Sequence, residues 1–508
     1  MDFEKEKYFI ALTKDRADSA QTLAKPSMRG VKTSVVEKYS DQAHFIYELL
    51  QNADDACAEY ARFILEQDRL IFVHNGTRRF SVSDPDTEDQ DSQNGNLGDI
   101  NAITSIANSN KNEDINKIGK FGVGFKAVFQ YTETPLIYDA IFRFKIENFI
   151  VPVALNEDFP NRQANETVFV FPFNHPSRKP DAAFSDISEK LKDLKFPLLF
   201  LARIKKIDFK ILGSENVFGR YKKEIGTMFD FEDTKAQFIS LSQFVEPIQQ
   251  NQTESSANKT SEKSTNTKTN ELWLFSRTDK SAQTYSVGFF VDENKKLCVA
   301  KECAFCFFPT KVDTALNFII HAPFLLTDSR EGIRSNEDHN KNMINLLASL
   351  AADSFVYLRD IGLKQKNPLI DDNIISIVPF DSNDFDSDSK RMFKPFYEKI
   401  KEKFQTEELL PASCGYAKKE NAYWASVPKL AELFSDEQLA EISENQNARW
   451  VFKSFGRDET SRNNKNKKSL ANYIDDLVKM SPDEEDIIGT NDDEKYKAIS
   501  KNSARNMI

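Results

Sequence analysis

The segment HFIYELLQNADDA, residues 44–56, reads as a helix with two different faces. Phe45, Leu49 and Ala53, with Ile46 and Leu50, recur at the three-to-four-residue interval of an apolar stripe. Glu48, Asn52 and Asp55 fall at i, i+4 and i+7, so they share a second face and can point into one pocket. A carboxylate one turn from an amide suits phosphoryl chemistry, where the acid orients a water and the amide oxygen helps hold a divalent cation. Taken alone, the segment fits a solvated polar face equally well.

Further along, SIANSNKNEDINKIGKFGVGFKAVF at 105–129 places Gly119, Gly122 and Gly124 within six positions, just before FKAVF, which reads as the opening of a helix. Glycines there let the backbone approach a ligand closely, and the N–H groups of such a loop suit phosphate. A plain turn has the same spacing, and the segment lacks the Lys-Ser/Thr and the preceding strand of a P-loop. Lys111 and Lys120 are candidate phosphate contacts, against the ordinary reading of solvated lysines. Between the two segments, FVHNG at 72–76 ends a β-rich run in a turn.

Together and in this order, the three pieces resemble the GHKL ATPases, the superfamily of gyrase, the ninety-kilodalton heat-shock chaperones, histidine kinases and MutL. Within it they resemble the chaperone-like branch that includes sacsin and its bacterial relatives. ELLQNADDA looks like that branch's first motif, SIANSNK like the start of its lid, and GKFGVGFKAVF like its phosphate loop. The resemblance implies ATP and Mg2+ as ligands, Glu48 as the base that activates water, Asn52 as the magnesium ligand and Asp55 as a nucleotide-side contact. It implies that Gly119, Lys120, Phe121, Gly122, Val123, Gly124 and Phe125 wrap the phosphates, with Ser109 and Lys111 in a short lid. It also brings Thr167, at the start of TVFVFPF, to the nucleotide pocket. Histidine kinases use another residue at the base position, so Glu48 points to hydrolysis over phosphotransfer to protein.

The tripeptide His74-Asn75-Gly76 departs from the family pattern, which usually carries an aspartate there to accept the adenine amino group. An imidazole or an Asn75 amide offers both a donor and an acceptor, so a base contact and a plain strand end both remain open for His74.

At 508 residues the chain has room for about three domains. The expected fold class is α+β. Residues 1–212 form a GHKL-type α/β sandwich with helices over one face of a mixed sheet, opening on a short helix and closing on a strand at 203–211. Residues 213–365 form a second, chaperone-like α/β domain, and 366–508 a mainly helical region with a flexible tail. RRFSVSDPDTEDQDSQNGNLGD reads as an exposed loop, followed by a helix that Asp99 caps and that runs through Ile100, Ile103 and Ile106. The segment 247–270 has almost nothing apolar to bury and is expected to be a disordered loop. Cys303 and Cys306 form a C-x-x-C without a second pair, and Cys298 and His321 complete no known arrangement, so structural cysteines are expected.

APFLLTDSREGI, residues 322–333, resembles the loop that carries an arginine to the terminal phosphate in the heat-shock chaperones. By that match Arg330 is the second catalytic residue, and a permanently charged planar fork suits the role. A surface ion pair with Asp328 or Glu331 is the plainer alternative.

No run of eighteen apolar residues occurs, and MDFEKEKYFIALTKD is too charged for a signal peptide, so no membrane partner is expected. Five cysteines without paired spacing indicate a reducing, cytoplasmic setting. A net charge of −11 argues against broad capture of nucleic acid, while a local basic patch stays open. The 42 phenylalanines read as core and interface material. The expected function is slow ATP hydrolysis in a site completed by the second domain, switching or remodelling a protein client or partner subunit. A homodimer and a place in bacterial antiviral defence are compatible with it, and an ATP-binding scaffold with little hydrolysis is the alternative.

Overall fold

Residues 60–74 are rich in aromatic and branched side chains and fold into a hairpin, β1 (Tyr60–Glu66) antiparallel to β2 (Arg69–His74). This hairpin lies at the middle of a sheet that runs through most of the molecule. In the computed structural model residues 3–28, 30, 45–106, 124–214, 216–248, 267–327, 330–461 and 465–482 are described. Helix α1 (Phe3–Leu23) precedes α2 (Phe45–Asp55), which carries the apolar stripe read from the sequence. With 21 residues, α1 is much longer than the short helix expected, and Phe9 and Leu12 bury it against the core.

After the hairpin come β3 (Leu136–Tyr138), β4 (Arg143–Glu147), β5 (Val151–Ala154) and β6 (Thr167–Pro172), then a helix over Pro180–Lys192 and β7 (Lys206–Ile211). The strand expected to close the sandwich does not close it. β7 is parallel to β1 on one side and antiparallel to β8 (Val217–Phe231) on the other, so the sheet continues. β9 (Thr234–Pro247), β10 (Lys268–Thr278), β11 (Thr284–Val291), β12 (Cys303–Cys306), β13 (Phe308–Asp313) and β14 (Ile319–His321) extend it. The strand order is β13-β12-β14-β11-β10-β9-β8-β7-β1-β2-β6-β3-β4-β5, fourteen strands in one mixed sheet among the described residues. Of the loop expected at 247–270, both ends belong to strands β9 and β10, and 249–266 lie outside the described residues.

Alternation along the strands feeds two cores. In β10, Leu272 and Leu274 join the core beneath α2, whereas Trp273 and Phe275 join the one beneath the 28-residue helix Asp338–Gln365. Much of the phenylalanine packs into these layers, as expected. Tyr47 stacks on Phe308 of β13 at 4.5 Å, which ties α2 to the second half of the sheet.

The acidic segment 78–99 is not simply a loop. Pro85–Thr87 forms a 3-10 turn and Glu88–Asn94 a helix, because the Asp84 side chain caps the turn, acidic residues fill the first helical turn, and Gly95 at φ 78° ends it. The next helix spans Asp99–Thr104 and stops before Ile106; Asp99 is inside it, its carboxylate accepting from Ser81 N and Oγ. Phe125–Gln130 is a 3-10 helix. Toward the C-terminus, helices over Lys394–Thr406, Pro428–Leu433, Asp436–Ser443 and Lys465–Leu477 are joined by two small two-stranded sheets. No described helix is long and apolar enough to cross a membrane.

Cys303 and Cys306 are half-buried free thiols, and burial pushes Cys306 up to about 11. Among the described residues no group of three or more His, Cys, Asp or Glu side chains is placed to hold a metal.

Candidate functional site

Three distant stretches meet at Glu48. The side chain is almost fully buried on α2, and Arg330 Nη1 closes an ion pair with its Oε1. Gly124 packs against the other side of the same carboxyl group, where a Cβ would overlap Oε2. With φ −65° and ψ −39° its backbone is ordinary, so glycine is needed for closeness and not for conformation. Phe125, the next residue, is buried between Phe169 and Phe171 of β6, which makes it a packing anchor for the loop end.

One turn along α2, Asn52 is buried and its side chain makes no hydrogen bond among the described residues. An amide oxygen on a buried helix face, one turn from a carboxylate, fits Mg2+, which takes few protein ligands and completes its shell with water and phosphate oxygens. Asp55 remains accessible, yet the protein crowded around it, with the Asp54 and Glu48 carboxylates, pushes it up to about 7 while Arg78 acts the other way. The adjacent Asp54 is structural: its carboxylate accepts the N–H groups of Ala202, Arg203 and Ile204 at 2.7–2.9 Å and fixes the turn before β7.

At the far end of α2 lies the second motif. A Cβ on Gly76 would meet Ala56 O at 2.7 Å and His74 Nδ1 at 2.9 Å, so glycine again permits a close approach. His74 is buried, packed against Phe72 and Phe169, and burial lowers its pKa to about 4. Its Nδ1 accepts from Gly76 N at 3.0 Å. Asn75 is structural in part, since its Oδ1 accepts from Glu59 N and Tyr60 N at the start of β1. Thr167 pairs in register with His74 and donates to Asp139 Oδ1 at 2.8 Å. Asp139 is fully buried and also takes Arg79 Nη1 and Phe80 N, both at 3.3 Å. Sequence reasoning missed Asp139 and Arg79; the one available signal was an acid directly after a β-rich run.

The arginine arrives on a tight hairpin. Leu326 and Ile333 form a bridge, Thr327 N donates to Gly332 O at 2.8 Å, and Arg330 sits near the tip at φ 58°. Asn340, fully buried in the first turn of the long helix, holds both arms: Oδ1 accepts from Leu325 N, and Nδ2 donates to Leu325 O and Arg334 O, all at 2.8–2.9 Å. Glu331, an expected alternative partner of Arg330, pairs with Lys311. Ser109, Lys111, Gly119, Lys120, Phe121, Gly122, Val123 and Asp328 lie outside the described residues.

Residues 28–146, which hold α2, the β1–β2 hairpin and Gly124, match the family model of the Sacsin domain. Protein NO VEIN of Arabidopsis thaliana is 24% identical over 361 residues, covering 63% of this chain and 11% of that protein. Human sacsin is 30% identical over 115 residues, 20% of this chain and 2% of that protein. The chain therefore carries a sacsin-like domain and spans about a tenth or less of the curated relatives it matches.

Proposed function

We propose that this chain is a Mg2+-dependent nucleoside triphosphatase of the GHKL type, with ATP the substrate the resemblance implies. The observation that carries the reading is the meeting of Glu48, Gly124 and Arg330 at one point, from three segments each of which was picked out for phosphate chemistry. Asn52 would hold Mg2+, which when bound neutralises phosphate charge. The terminal phosphate competes with Glu48 for Arg330; once the arginine turns to the phosphate, the Glu48 carboxylate is released to orient and deprotonate water. Because Arg330 and Glu48 come from different halves of the sheet, hydrolysis is coupled to how those halves sit, which suits a switch acting on a protein client or partner subunit. A role in bacterial antiviral defence is compatible with that output.

The test compares Mg2+-dependent phosphate release with equilibrium binding of a non-hydrolysable ATP analogue, in wild type and Glu48→Gln. Release should fall about 10²–10⁴-fold in the variant with binding kept. A second reading, a nucleotide-binding scaffold, is favoured by the engagement of Glu48 with Arg330 in the ligand-free chain. Binding without measurable release in wild type would select it.

A further inference from the structure

Outside the Glu48 cluster, one buried titratable side chain has no role in the chemistry. His321, the last residue of β14, is almost fully buried, and neither of its ring nitrogens has a hydrogen-bond partner among the described residues. Its in-register neighbours are Phe305 on β12 and Ser286 on β11, and Ser286 Oγ is engaged with Ser276 Oγ at 2.8 Å. Phe200 stacks on the imidazole at 4.2 Å, with the rings 12° from parallel, and Phe307 meets it edge-on at 5.1 Å. Burial lowers the His321 pKa to about 3, so the ring is neutral. A neutral imidazole carries one N–H and one lone pair, and both are stripped of water here without replacement.

The ring lies in a seam. Residues 193–204 are hydrogen-bonded to β8 on one side: Lys223 Nζ donates to Leu199 O and Leu201 O at 3.0 and 2.9 Å, and Leu194 N donates to the Tyr221 hydroxyl at 3.1 Å. Asp54 of α2 holds the same stretch through the N–H groups of Ala202, Arg203 and Ile204. Toward β11–β14 the contact is of another kind. Phe196 packs on Phe290 and Phe200 on Phe305, both at 5.3 Å, beside the Phe200–His321 stack. On that side the one polar contact among the described residues is Lys195 to Glu302 at 3.4 Å, with Lys195 mostly exposed. The same division continues through α2, whose Tyr47 stacks on Phe308 and whose Glu48 meets Arg330, nine positions after His321. Parting these rings breaks no ladder of backbone hydrogen bonds, and it returns water to both His321 nitrogens.

We propose that the two halves of the molecule separate at the Phe200–His321 contact: the ligand-free chain samples an open state in which His321 is hydrated and Arg330 has left Glu48, with the continuous sheet bending between the halves. The unsatisfied imidazole disfavours the closed state by about 5- to 150-fold, the usual effect of a buried unpaired polar group, and so keeps the open state within reach. The opening needs no nucleotide, so it stands or falls apart from the proposed ATPase activity.

His321 reports its own exposure. Diethyl pyrocarbonate acylates the unprotonated nitrogen of an accessible imidazole, and peptide mass spectrometry assigns the label among the five histidines. In the full chain without nucleotide at neutral pH, His321 should be labelled about 10- to 1,000-fold more slowly than in the urea-unfolded chain, the mark of an open population of about 0.1–10%. The rate should change little with urea below the unfolding transition, because the seam exposes far less surface than unfolding does. Arg330→Ala should raise the open-to-closed ratio about 5- to 150-fold, since the pair it removes exists only in the closed state. Should that variant not fold, as judged by circular dichroism, Glu48→Gln should raise the ratio in the same direction. Labelling as fast as in the unfolded chain, or labelling that follows urea with the full slope of global unfolding, overturns the open–closed equilibrium. A ratio that neither variant moves overturns the link between the seam and Arg330.

Discussion

Arg330 pairs with Glu48 although 282 positions of sequence separate them, and the contact joins the first helix of the sacsin-like domain to a hairpin in the second half of the sheet. Glu48 is nearly buried on its side chain, at 8% exposed, whereas Arg330 keeps 35%. Removing the arginine takes from a buried carboxylate the guanidinium that offsets its charge. Arg330→Ala should therefore destabilise the fold by roughly 1–3 kcal/mol in urea unfolding, less than the ~3–5 kcal/mol of a fully enclosed pair because Arg330 is partly wet. It should slow hydrolysis while largely preserving nucleotide binding. Equal loss of both would make Arg330 a structural residue only.

Gly124→Ala should behave as an active-site lesion. Its Cβ overlaps the Glu48 carboxyl group, so either Glu48 leaves its position or the loop end moves. Hydrolysis should drop to near the level of Glu48→Gln, and thermal unfolding should shift down by only a few degrees, since the backbone conformation at 124 suits alanine. Full activity in this variant would show that the close approach is dispensable.

Part of this arrangement was legible in the sequence because its parts are local patterns. The helix stripe that carries Glu48 and Asn52 and the glycine just before FKAVF have their own spacing, whereas Arg330 was singled out only by the resemblance of its loop. What stayed hidden was decided by pairing across the sheet. The shared register of β2 and β6, which puts His74 beside Thr167, and the burial of Asp139 next to them follow from strands more than sixty residues apart. The tautomer of His74 follows from one backbone N–H, which no spacing reveals. The continuation of the sheet past β7 was hidden for a related reason. Strand propensity shows that a segment pairs, not whether its second edge is also covered.

Asn340 should act on hydrolysis through Arg330. It never touches the candidate site, yet its three hydrogen bonds lock both arms of the hairpin that carries the arginine. Asn340→Ala leaves the Leu325 N–H without its acceptor and takes one of the donors from Leu325 O and Arg334 O, so the hairpin loosens, and kcat should fall about tenfold or more with KM little changed. The double variant with Arg330→Ala should hydrolyse no more slowly than Arg330→Ala alone. An additive loss would mean that Asn340 works by another route.

Lys126 should give the fold a pH dependence near neutrality. Its Nζ is fully buried, donates to Phe149 O at 2.9 Å and lies 4.6 Å from the centre of the Phe149 ring. Burial, and then the charge of Arg16, lowers its pKa from 10.5 to about 7. The unfolded chain holds the proton to high pH while the folded chain releases it near 7, so between those values the unfolded state binds more protons and stability rises with pH. Below pH 7 both states are protonated and the full burial penalty stands. Lys126→Met removes this group, so the stability of the variant relative to wild type should be greatest at pH 6–7 and decline toward pH 9, by at most about 1.4 kcal/mol per pH unit. Urea unfolding of both proteins at pH 6, 7, 8 and 9 checks it. Parallel pH profiles would show that Lys126 keeps one protonation state throughout.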